Sequence, residues 1–304
     1  MLVAKNSTPY SGNCEERRNG GRSEVIRKIL FPVDFSPSCT AMAAYVRRAA
    51  ALCGATVSLV HVCDLASHSG FELYARPGNE IAEDHWSVAR EKLDYFLISE
   101  FPSATSARIL LAGDAASVIA ETAKKGGFDL IVMPTYAGRF RRMLLGSTAA
   151  KVLDDAECPV LTTQHAETVT PRSLEHRRWV CAVDLSSDSV RVVRSAKSAA
   201  TEIGATLSLT HVIPAVGASG AAGLTSGEQA ATRQRVSHLA TAAGFDGEVN
   251  IVGGPVKETL LHAVAESHAD VLVVGRSARS DPFGRVRDLA YALIRDSACP
   301  VVSV

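Results

Sequence analysis

The fold is decided by residues 129–163, which read DLIVMPTYAGRFRRMLLGSTAAKVLDDAECPVLTT. The stretch opens with a short apolar run at residues 130–133, a pattern typical of a strand buried on both faces. A polar loop with Pro, Gly and three Arg follows, and then a helical pattern from residue 146 to about residue 156. A second apolar run at residues 160–163 closes the stretch. The order is therefore strand, loop, helix and strand.

The residues before this stretch alternate in the same way. Apolar runs predict three further strands, at residues 27–34, 55–62 and 107–112. Amphipathic or Ala-rich patterns predict helices from about residue 37 to 52, at 79–101 and at 115–125. Five strands alternating with four helices are typical of a parallel sheet covered by helices on both faces. We therefore predict an α/β, doubly wound, five-stranded parallel sheet with strand order 3-2-1-4-5.

The second half of the chain repeats the first. Residues 177–212 align with residues 27–62 at a constant offset of 150, and thirteen of these 36 positions are identical. Further along, the offset falls to 141, which pairs the Cys-Pro-Val of residues 158–160 with that of residues 299–301. The difference falls between the second and third strands, where a loop absorbs a length change at little cost. The chain is therefore an internal duplication.

This repeat predicts two domains, residues 25–164 and 177–304, joined by a linker at residues 165–176. Residues 1–24 are polar and lack the apolar segment of a secretory signal, so we predict a disordered tail. No apolar run approaches the roughly 20 residues needed to cross a bilayer. We therefore expect no membrane association.

Composition excludes several classes of function. The 32 Lys and Arg balance the 32 Asp and Glu, so no global field draws the chain to nucleic acid or to a membrane surface. The seven cysteines are odd in number, scattered and free of any CxxC pair, which favours buried, reduced thiols in a cytoplasmic protein. No cluster of His, Cys and Glu has the spacing of a metal site.

A candidate ligand site follows from the predicted sheet. In an open parallel sheet, ligands bind beyond the carboxyl ends of the strands where the strand order reverses, here between the first and fourth strands. Asp34 ends the first strand and can accept hydrogen bonds from a ribose. A helix that begins at Gly146-Ser147 directs free backbone N–H groups and its positive dipole end into the same crevice. Ser147 or Thr148 can add a hydroxyl donor to a phosphate.

At these residues the sequence resembles the universal stress protein family. The resemblance rests on PVDFS at residues 32–36, LLGSTAAKVL at 144–153 and CPVL at 158–161, and it extends over both halves. It implies a tandem universal stress protein with two Rossmann-like domains of the adenine nucleotide alpha hydrolase-like type. Members of the family commonly dimerise through their last strand. Residues 160–163 and 301–304 are therefore expected to pair within one chain as a pseudo-dimer, and a further homodimer stays open.

The family's ATP-binding members carry Gly-x2-Gly-x9-Gly-Ser/Thr after the fourth strand, and the first half departs from this motif. Pro134 and Ala137 replace the first two glycines, the loop is one residue short, and only Gly146-Ser147 matches. The resemblance implies a candidate site for ATP with Mg²⁺ in this half. Its candidate residues are Asp34, Val62, Thr135, Gly146, Ser147 and Thr148.

The second half departs from the motif differently. Gly275 matches the first glycine, but Ala278 replaces the second and Arg287-Asp288 replaces Gly-Ser. Asp288 places a negative charge at the helix start, where it caps a helix but repels phosphate. Arg287 fills space that a glycine leaves free for close approach of the backbone. We therefore predict that the second half does not bind ATP in the family's usual way.

Structural roles are the alternative for each candidate residue. Asp34 and Asp184 are nucleotide ligands or Asx-type caps of the following helix, and capping is favoured for Asp184. His61 and His211, at matched positions of the second strand, are expected to be structural. The arginines near the two loops either hold an anion or acidic partner or are solvated, and solvation is favoured. They are Arg139, Arg141, Arg142, Arg276, Arg279, Arg285 and Arg287.

Two functional classes stay open. No catalytic constellation is evident, so we favour a non-enzymatic stress-response protein that acts by binding or by interaction with unidentified protein partners and requires no cofactor. The alternative is an ATP- or AMP-binding sensor that uses the first half only. Nucleotide hydrolysis is disfavoured, because the sequence shows neither a general base nor a metal clamp.

Overall fold

The computed structural model describes residues 25–63, 78–135, 145–164, 174–214, 226–276 and 285–304. The strands of the first half are β1 Lys28–Pro32, β2 Thr56–Cys63, β3 Ala107–Ala112, β4 Leu130–Pro134 and β5 Val160–Thr163. Its helices are α1 Pro37–Cys53, α2 Gly78–Tyr95, α3 Ala115–Gly126 and α4 Ser147–Asp155. These elements alternate as the sequence predicts.

The second half repeats this series. Its strands are β6 Arg178–Ala182, β7 Thr206–Pro214, β8 Val249–Gly254, β9 Val271–Val274 and β10 Val301–Ser303. Its helices are α5 Ser189–Glu202, α6 Ser226–Ala243, α7 Val256–Glu266 and α8 Arg285–Asp296. Every helix in the described ranges is too short or too polar to span a membrane.

The ten described strands form one sheet in the order β3-β2-β1-β4-β5-β10-β9-β6-β7-β8. Within each half neighbouring strands are parallel and follow the predicted order 3-2-1-4-5. The halves meet where β5 pairs with β10 in antiparallel register, with Leu161 opposite Val302. The predicted pairing of the last strands within one chain is therefore confirmed, whereas a further homodimer stays a prediction.

An apolar core lies on each face of the sheet, and both cores contain residues of both halves. Alternate residues of a strand point to opposite faces, so Ile29 and Phe31 enter one core and Leu30 enters the other. The first core also holds Leu239 of α6, and the second holds Leu293 of α8. The helices α1, α2, α5 and α6 cover one face, and α3, α4, α7 and α8 cover the other.

The ends of α1 follow from local sequence, as predicted. The side chain of Ser36 accepts a hydrogen bond from the N–H of Cys39, and Pro37 stands in the first turn, where its missing N–H costs nothing. Gly54 ends the helix in the left-handed conformation, with a φ of 60°.

The predicted end of the second helix is wrong. The pattern predicts a helix to residue 101, but α2 ends at Tyr95. The guanidinium of Arg108 donates hydrogen bonds to the carbonyls of Leu93, Phe96 and Phe101, at 2.5, 2.8 and 2.9 Å. These bonds pull the chain into a turn, and Leu97 adopts a positive φ of 51°. A tertiary contact therefore overrides the local helical pattern.

Several predictions concern residues outside the described ranges. These are the tail at 1–24, the linker residues 165–173, and the loops at 64–77, 136–144 and 277–284, which include Ala137, Arg139, Arg141, Arg142, Ala278 and Arg279. The side chains of Arg285 and Arg287 lie outside them as well.

Candidate functional site

The strand order of the first half reverses at β1, which pairs with β2 on one side and with β4 on the other. The helix after β1, α1, packs on one face of the sheet, and the helix after β4, α4, packs on the opposite face. The two chain segments therefore diverge above the carboxyl ends of β1 and β4. Such a divergence is where doubly wound sheets bind their ligands.

Asp34 lies two residues beyond β1, is exposed, and makes two local contacts. Its Oδ1 atom accepts a hydrogen bond from the N–H of Ser36 at 3.0 Å and one from the thiol of Cys39 at 3.0 Å. The intervening Phe35 has a φ of 63°. Within the described part of the chain both bonds fall on Oδ1, and Oδ2 of this exposed carboxylate keeps its capacity to accept. The turn role and the ligand role are compatible.

Asp184 repeats this geometry in the second half. Its Oδ1 accepts hydrogen bonds from the N–H of Ser186 at 3.0 Å and from the hydroxyl of Ser189 at 2.8 Å. Burial raises the pKa of Asp184, but the hydrogen bonds from Ser186 and Ser189 outweigh it and hold the pKa below its ordinary value. These contacts agree with the capping role favoured for Asp184.

His61 and His211 each contact a backbone carbonyl. Nδ1 of His61 lies 2.7 Å from the carbonyl oxygen of Val33, and Nδ1 of His211 lies 2.8 Å from that of Val183. A ring nitrogen that faces a carbonyl oxygen must carry a proton, so Nδ1 is the donor in both. Both contacts agree with the structural role expected of these histidines.

Thr135 follows β4 and is buried, with only 2% of its surface exposed. Its hydroxyl lies 3.5 Å from the carbonyl oxygen of Thr163, on the side of β5. Its own carbonyl accepts the N–H of Gly146 at 2.8 Å and so closes the loop between β4 and α4. Thr135 therefore holds the start of α4 beside β4 instead of directing its hydroxyl into the crevice. Val62 is half-buried near the end of β2.

The amino end of α4 carries no side-chain cap. Gly146 occupies the N-cap position with extended backbone, φ −62° and ψ 144°, and no side-chain cap bond forms there within the described residues. Ser147 is exposed and Thr148 is half-buried. The first N–H groups of a helix have no intrahelical acceptor, and together with the helix dipole they favour an anion. Gly146, Ser147 and Thr148 therefore form the part of the candidate site suited to phosphate.

The second half differs at the corresponding helix. The alignment predicts that Asp288 stands at the helix start, but α8 begins three residues earlier, at Arg285, and Asp288 lies exposed in its first turn. Arg287 is a good helix former where Gly146 is not, so the helix continues through this position. A carboxylate in the first turn satisfies the helix dipole and opposes a second anion.

Arg276 departs from both roles considered for the loop arginines. It is half-buried, and its guanidinium donates to the carbonyls of Leu153, Ala156 and Cys158 in the first half, at 3.1, 2.7 and 2.9 Å. The one hint in the sequence is that the offset of 141 pairs Arg276 with Thr135, so the two halves carry different side chains at this position. The partners could not be foreseen, since they are backbone groups of the other half.

The described cysteines are poor nucleophiles. Five of the six are buried and Cys63 is half-buried, and none forms a disulfide within the described ranges. Burial, followed by the charge of Asp34, raises the pKa of the Cys39 thiol to about 12. Burial likewise raises the pKa of Cys299 to about 11. No group of three or more His, Cys, Asp or Glu among the described residues has the arrangement of a metal site.

Comparison with known sequences places both halves in one family. The sequence model described as "Universal stress protein family" matches residues 26–164 and residues 175–304. Universal stress protein A homolog 2 of Coxiella burnetii is 27% identical over 110 residues, which cover 36% of this chain and 75% of that protein. A universal stress protein of Methanocaldococcus jannaschii is 29% identical over 157 residues, which cover 48% of this chain and 86% of that protein.

Solved structures share the fold over most of the chain. A universal stress protein from Archaeoglobus fulgidus superposes with a TM-score of 0.64 at 24% identity, covering 91% of this chain and 97% of that chain. A protein of unknown function from Pseudomonas aeruginosa superposes with a TM-score of 0.59 at 19% identity, covering 92% and 93%. At these identities the likeness shows the fold alone. The two family matches together span nearly the whole described sequence, and the chain belongs to the universal stress protein family.

Proposed function

We propose that this chain is a non-enzymatic stress-response protein that acts by binding. The observation that carries the proposal is that the reactive groups at the strand ends are held in structural bonds. Asp34 and Asp184 accept turn hydrogen bonds, His61 and His211 donate to carbonyls, and the raised pKa keeps the thiol of Cys39 protonated. The thiol of Cys39 and the hydroxyl of Ser189 each donate to one of these aspartates, but both side chains are 2% exposed and so do not face a substrate as a covalent nucleophile must.

A second candidate function is more specific: an adenine nucleotide sensor, for ATP or AMP, that uses the first half only. The observation that favours it is the uncapped amino end of α4 at Gly146 and Ser147. The N–H groups of the first turn and the hydroxyl of Ser147 suit phosphate oxygens. Oδ2 of Asp34 suits a ribose hydroxyl, and Val62 offers an apolar contact for the base. Mg²⁺ would arrive with the phosphates rather than at a protein metal site.

The division of labour between the halves is part of the proposal. Residues 25–164 are proposed as the binding domain and residues 177–304 as a second domain without a nucleotide site, joined by residues 165–176. The capped Asp184 and the carboxylate of Asp288 in the first turn of α8 support this assignment. We place the protein in the cytoplasm, where free buried thiols stay reduced. Its protein partners are unidentified.

Phosphate release tests the non-enzymatic proposal. The full chain and the double variant Gly146→Arg/Ser147→Asp, which imports the residues of the second half, are incubated with ATP and Mg²⁺. Because the proposal assigns the site to binding alone, we expect both proteins to release phosphate at the same background rate. A rate in the unsubstituted chain well above that of the variant would assign an activity to the α4 site and overturn the proposal.

A further inference from the structure

Among the described residues, the second half makes contacts to α4 that the first half does not return to the equivalent helix α8. The offset of 141 pairs Arg276 with Thr135 and Tyr291 with Ala150, so an equal pairing of the two halves would show each contact twice. Among the described residues each contact occurs once, and both are made by the second half. The two halves are therefore not interchangeable at their junction.

Arg276 holds the carboxyl end of α4. Its N–H donates to the carbonyl of Val304 at 2.9 Å, which ties its backbone to the end of the chain after β10. From there its two Nη atoms reach the carbonyls of Leu153, Ala156 and Cys158, at 3.1, 2.7 and 2.9 Å. The last carbonyls of a helix have no intrahelical donor, and a cation at that end also interacts favourably with the helix dipole. Arg276 supplies both the hydrogen-bond donors and the positive charge.

Tyr291 makes the second contact, from α8. Its hydroxyl oxygen lies 3.1 Å from the carbonyl oxygen of Ala150 and 2.8 Å from Oδ1 of Asp154. These two partners are one helical turn apart on α4, so the hydroxyl of Tyr291 contacts both the middle and the last turn of that helix. Arg276 and Tyr291 together hold α4 at its middle and at its carboxyl end.

The reverse contacts are chemically unavailable. Thr135 is shorter than Arg276, and its hydroxyl lies at the carbonyl of Thr163 within its own half. Ala150 has no polar side-chain atom to return the contact of Tyr291. Two first halves paired in the same way would therefore lack every one of these bonds.

We propose that the second half is a brace that positions α4, with Arg276 as the positioning residue. α4 has only nine residues, so we expect a shift at its carboxyl end to reach the N–H groups at Gly146 and Ser147. Binding groups must be held within roughly 0.5 Å of their productive positions, which makes such a shift costly to affinity. The half without a nucleotide motif would then set the affinity of the half that has one. This last step rests on the proposed nucleotide site.

The test replaces Arg276 and follows α4 directly. Arg276→Thr imports the residue of the first half, and Arg276→Lys keeps the charge but has fewer donors. The matched control is Arg194→Ala, because Arg194 donates to the carbonyl of Ala242 near the end of α6, entirely within the second half. Amide hydrogen exchange at residues 149–156 and ATP affinity are measured on the full chain, and Tyr291→Phe serves as a second variant should Arg276→Thr not fold.

We expect Arg276→Thr to speed exchange in α4 and to weaken ATP binding about tenfold, the equivalent of about 1.4 kcal/mol. Arg276→Lys should recover part of both effects, and Arg194→Ala should leave both unchanged. Unchanged exchange in Arg276→Thr and Tyr291→Phe would overturn the brace. Faster exchange with unchanged ATP affinity would overturn the positioning role. If the unsubstituted chain binds no ATP, the proposed nucleotide site fails, and the exchange result alone decides whether the brace exists.

Discussion

His176 is a buried titratable residue at the junction between the linker and the second half. Only 4% of its surface is exposed, its φ is 51°, and its Nε2 has no hydrogen-bond partner within the described residues. Its ring packs edge-on against Tyr45 of α1, with the ring centroids 6.4 Å apart. Burial lowers the pKa of His176 to about 4, while the charge of Asp270 raises it and that of Arg48 lowers it. The folded protein therefore favours the neutral ring.

This preference predicts a loss of stability in acid. The unfolded chain takes up the proton near pH 6.5 and the folded chain near pH 4, so stability is full above pH 6.5 and falls as the pH drops between these values. The loss between pH 7 and pH 4.5 amounts to about 2 kcal/mol from this residue alone. Urea unfolding of the unsubstituted chain and of His176→Asn at both pH values measures it. Asn tolerates a positive φ and does not titrate. Equal losses in the two proteins would contradict the assignment.

Cys39 and Ser189 stand at matched positions of the two halves. Both donate to the aspartate that follows the first strand of their half, Asp34 and Asp184 respectively. We expect Cys39→Ser to change the free energy of unfolding by less than about 1 kcal/mol, because the hydroxyl restores the hydrogen bond. Cys39→Ala should cost about 1 kcal/mol more, since the turn loses a donor. Chemical denaturation measures both, and an equal cost for the two variants would contradict the role assigned to the thiol.

Among the elements, α2 depends on a residue outside it. Arg108 of β3 binds three carbonyls at and beyond the end of this helix, and burial lowers its pKa. We expect Arg108→Ala to lower the free energy of unfolding by about 2–3 kcal/mol, because the carbonyls lose a charged donor. The control is Lys125→Ala, which removes an exposed ion pair with Glu121 and should cost under about 0.5 kcal/mol. Thermal denaturation compares them, and equal costs would contradict the bracing role of Arg108.

Sequence patterns predicted the strands but not every helix end. The strands were predictable because apolar runs such as residues 130–133 are buried on both faces and bounded by turn residues. The end of α2 was not predictable, because the side chain that ends it, Arg108, belongs to β3 and leaves no local pattern in the helix sequence. The start of α8 was misplaced for a related reason, since an alignment transfers positions but not the helix propensity of Arg287.

The candidate site divides in the same way. The places of Asp34 after β1 and of Gly146 and Ser147 at the start of α4 were predictable, because strand ends and a glycine before a helix carry local signatures, whereas their role as a ligand site stays a prediction. The inward role of Thr135 and the long reach of Arg276 were not predictable. Both depend on which carbonyl lies opposite once β5 and β10 are paired.

The whole molecule shares one sheet and two cores. Since β5 pairs with β10 and each core contains residues of both halves, neither half can unfold without exposing apolar surface of the other. We expect a single calorimetric unfolding transition whose van't Hoff and calorimetric enthalpies agree. Val302→Pro, in the middle of β10, should lower its midpoint strongly, because proline removes a ladder hydrogen bond. Two resolved transitions in the unsubstituted chain would show that the halves unfold separately.

The proposed nucleotide site lies in the first half alone, at the amino end of α4. The direct measurement is a calorimetric titration of the full chain with ATP and Mg²⁺, beside Gly146→Arg/Ser147→Asp and the matched second-half variant Asp288→Ser. We expect micromolar binding of one nucleotide per chain, retained in Asp288→Ser and lost in the double variant, because α4 begins at an uncapped glycine whereas α8 carries a carboxylate in its first turn. Two nucleotides per chain, binding that survives the double variant, or no heat with any of the three proteins would contradict the assignment of a nucleotide to α4.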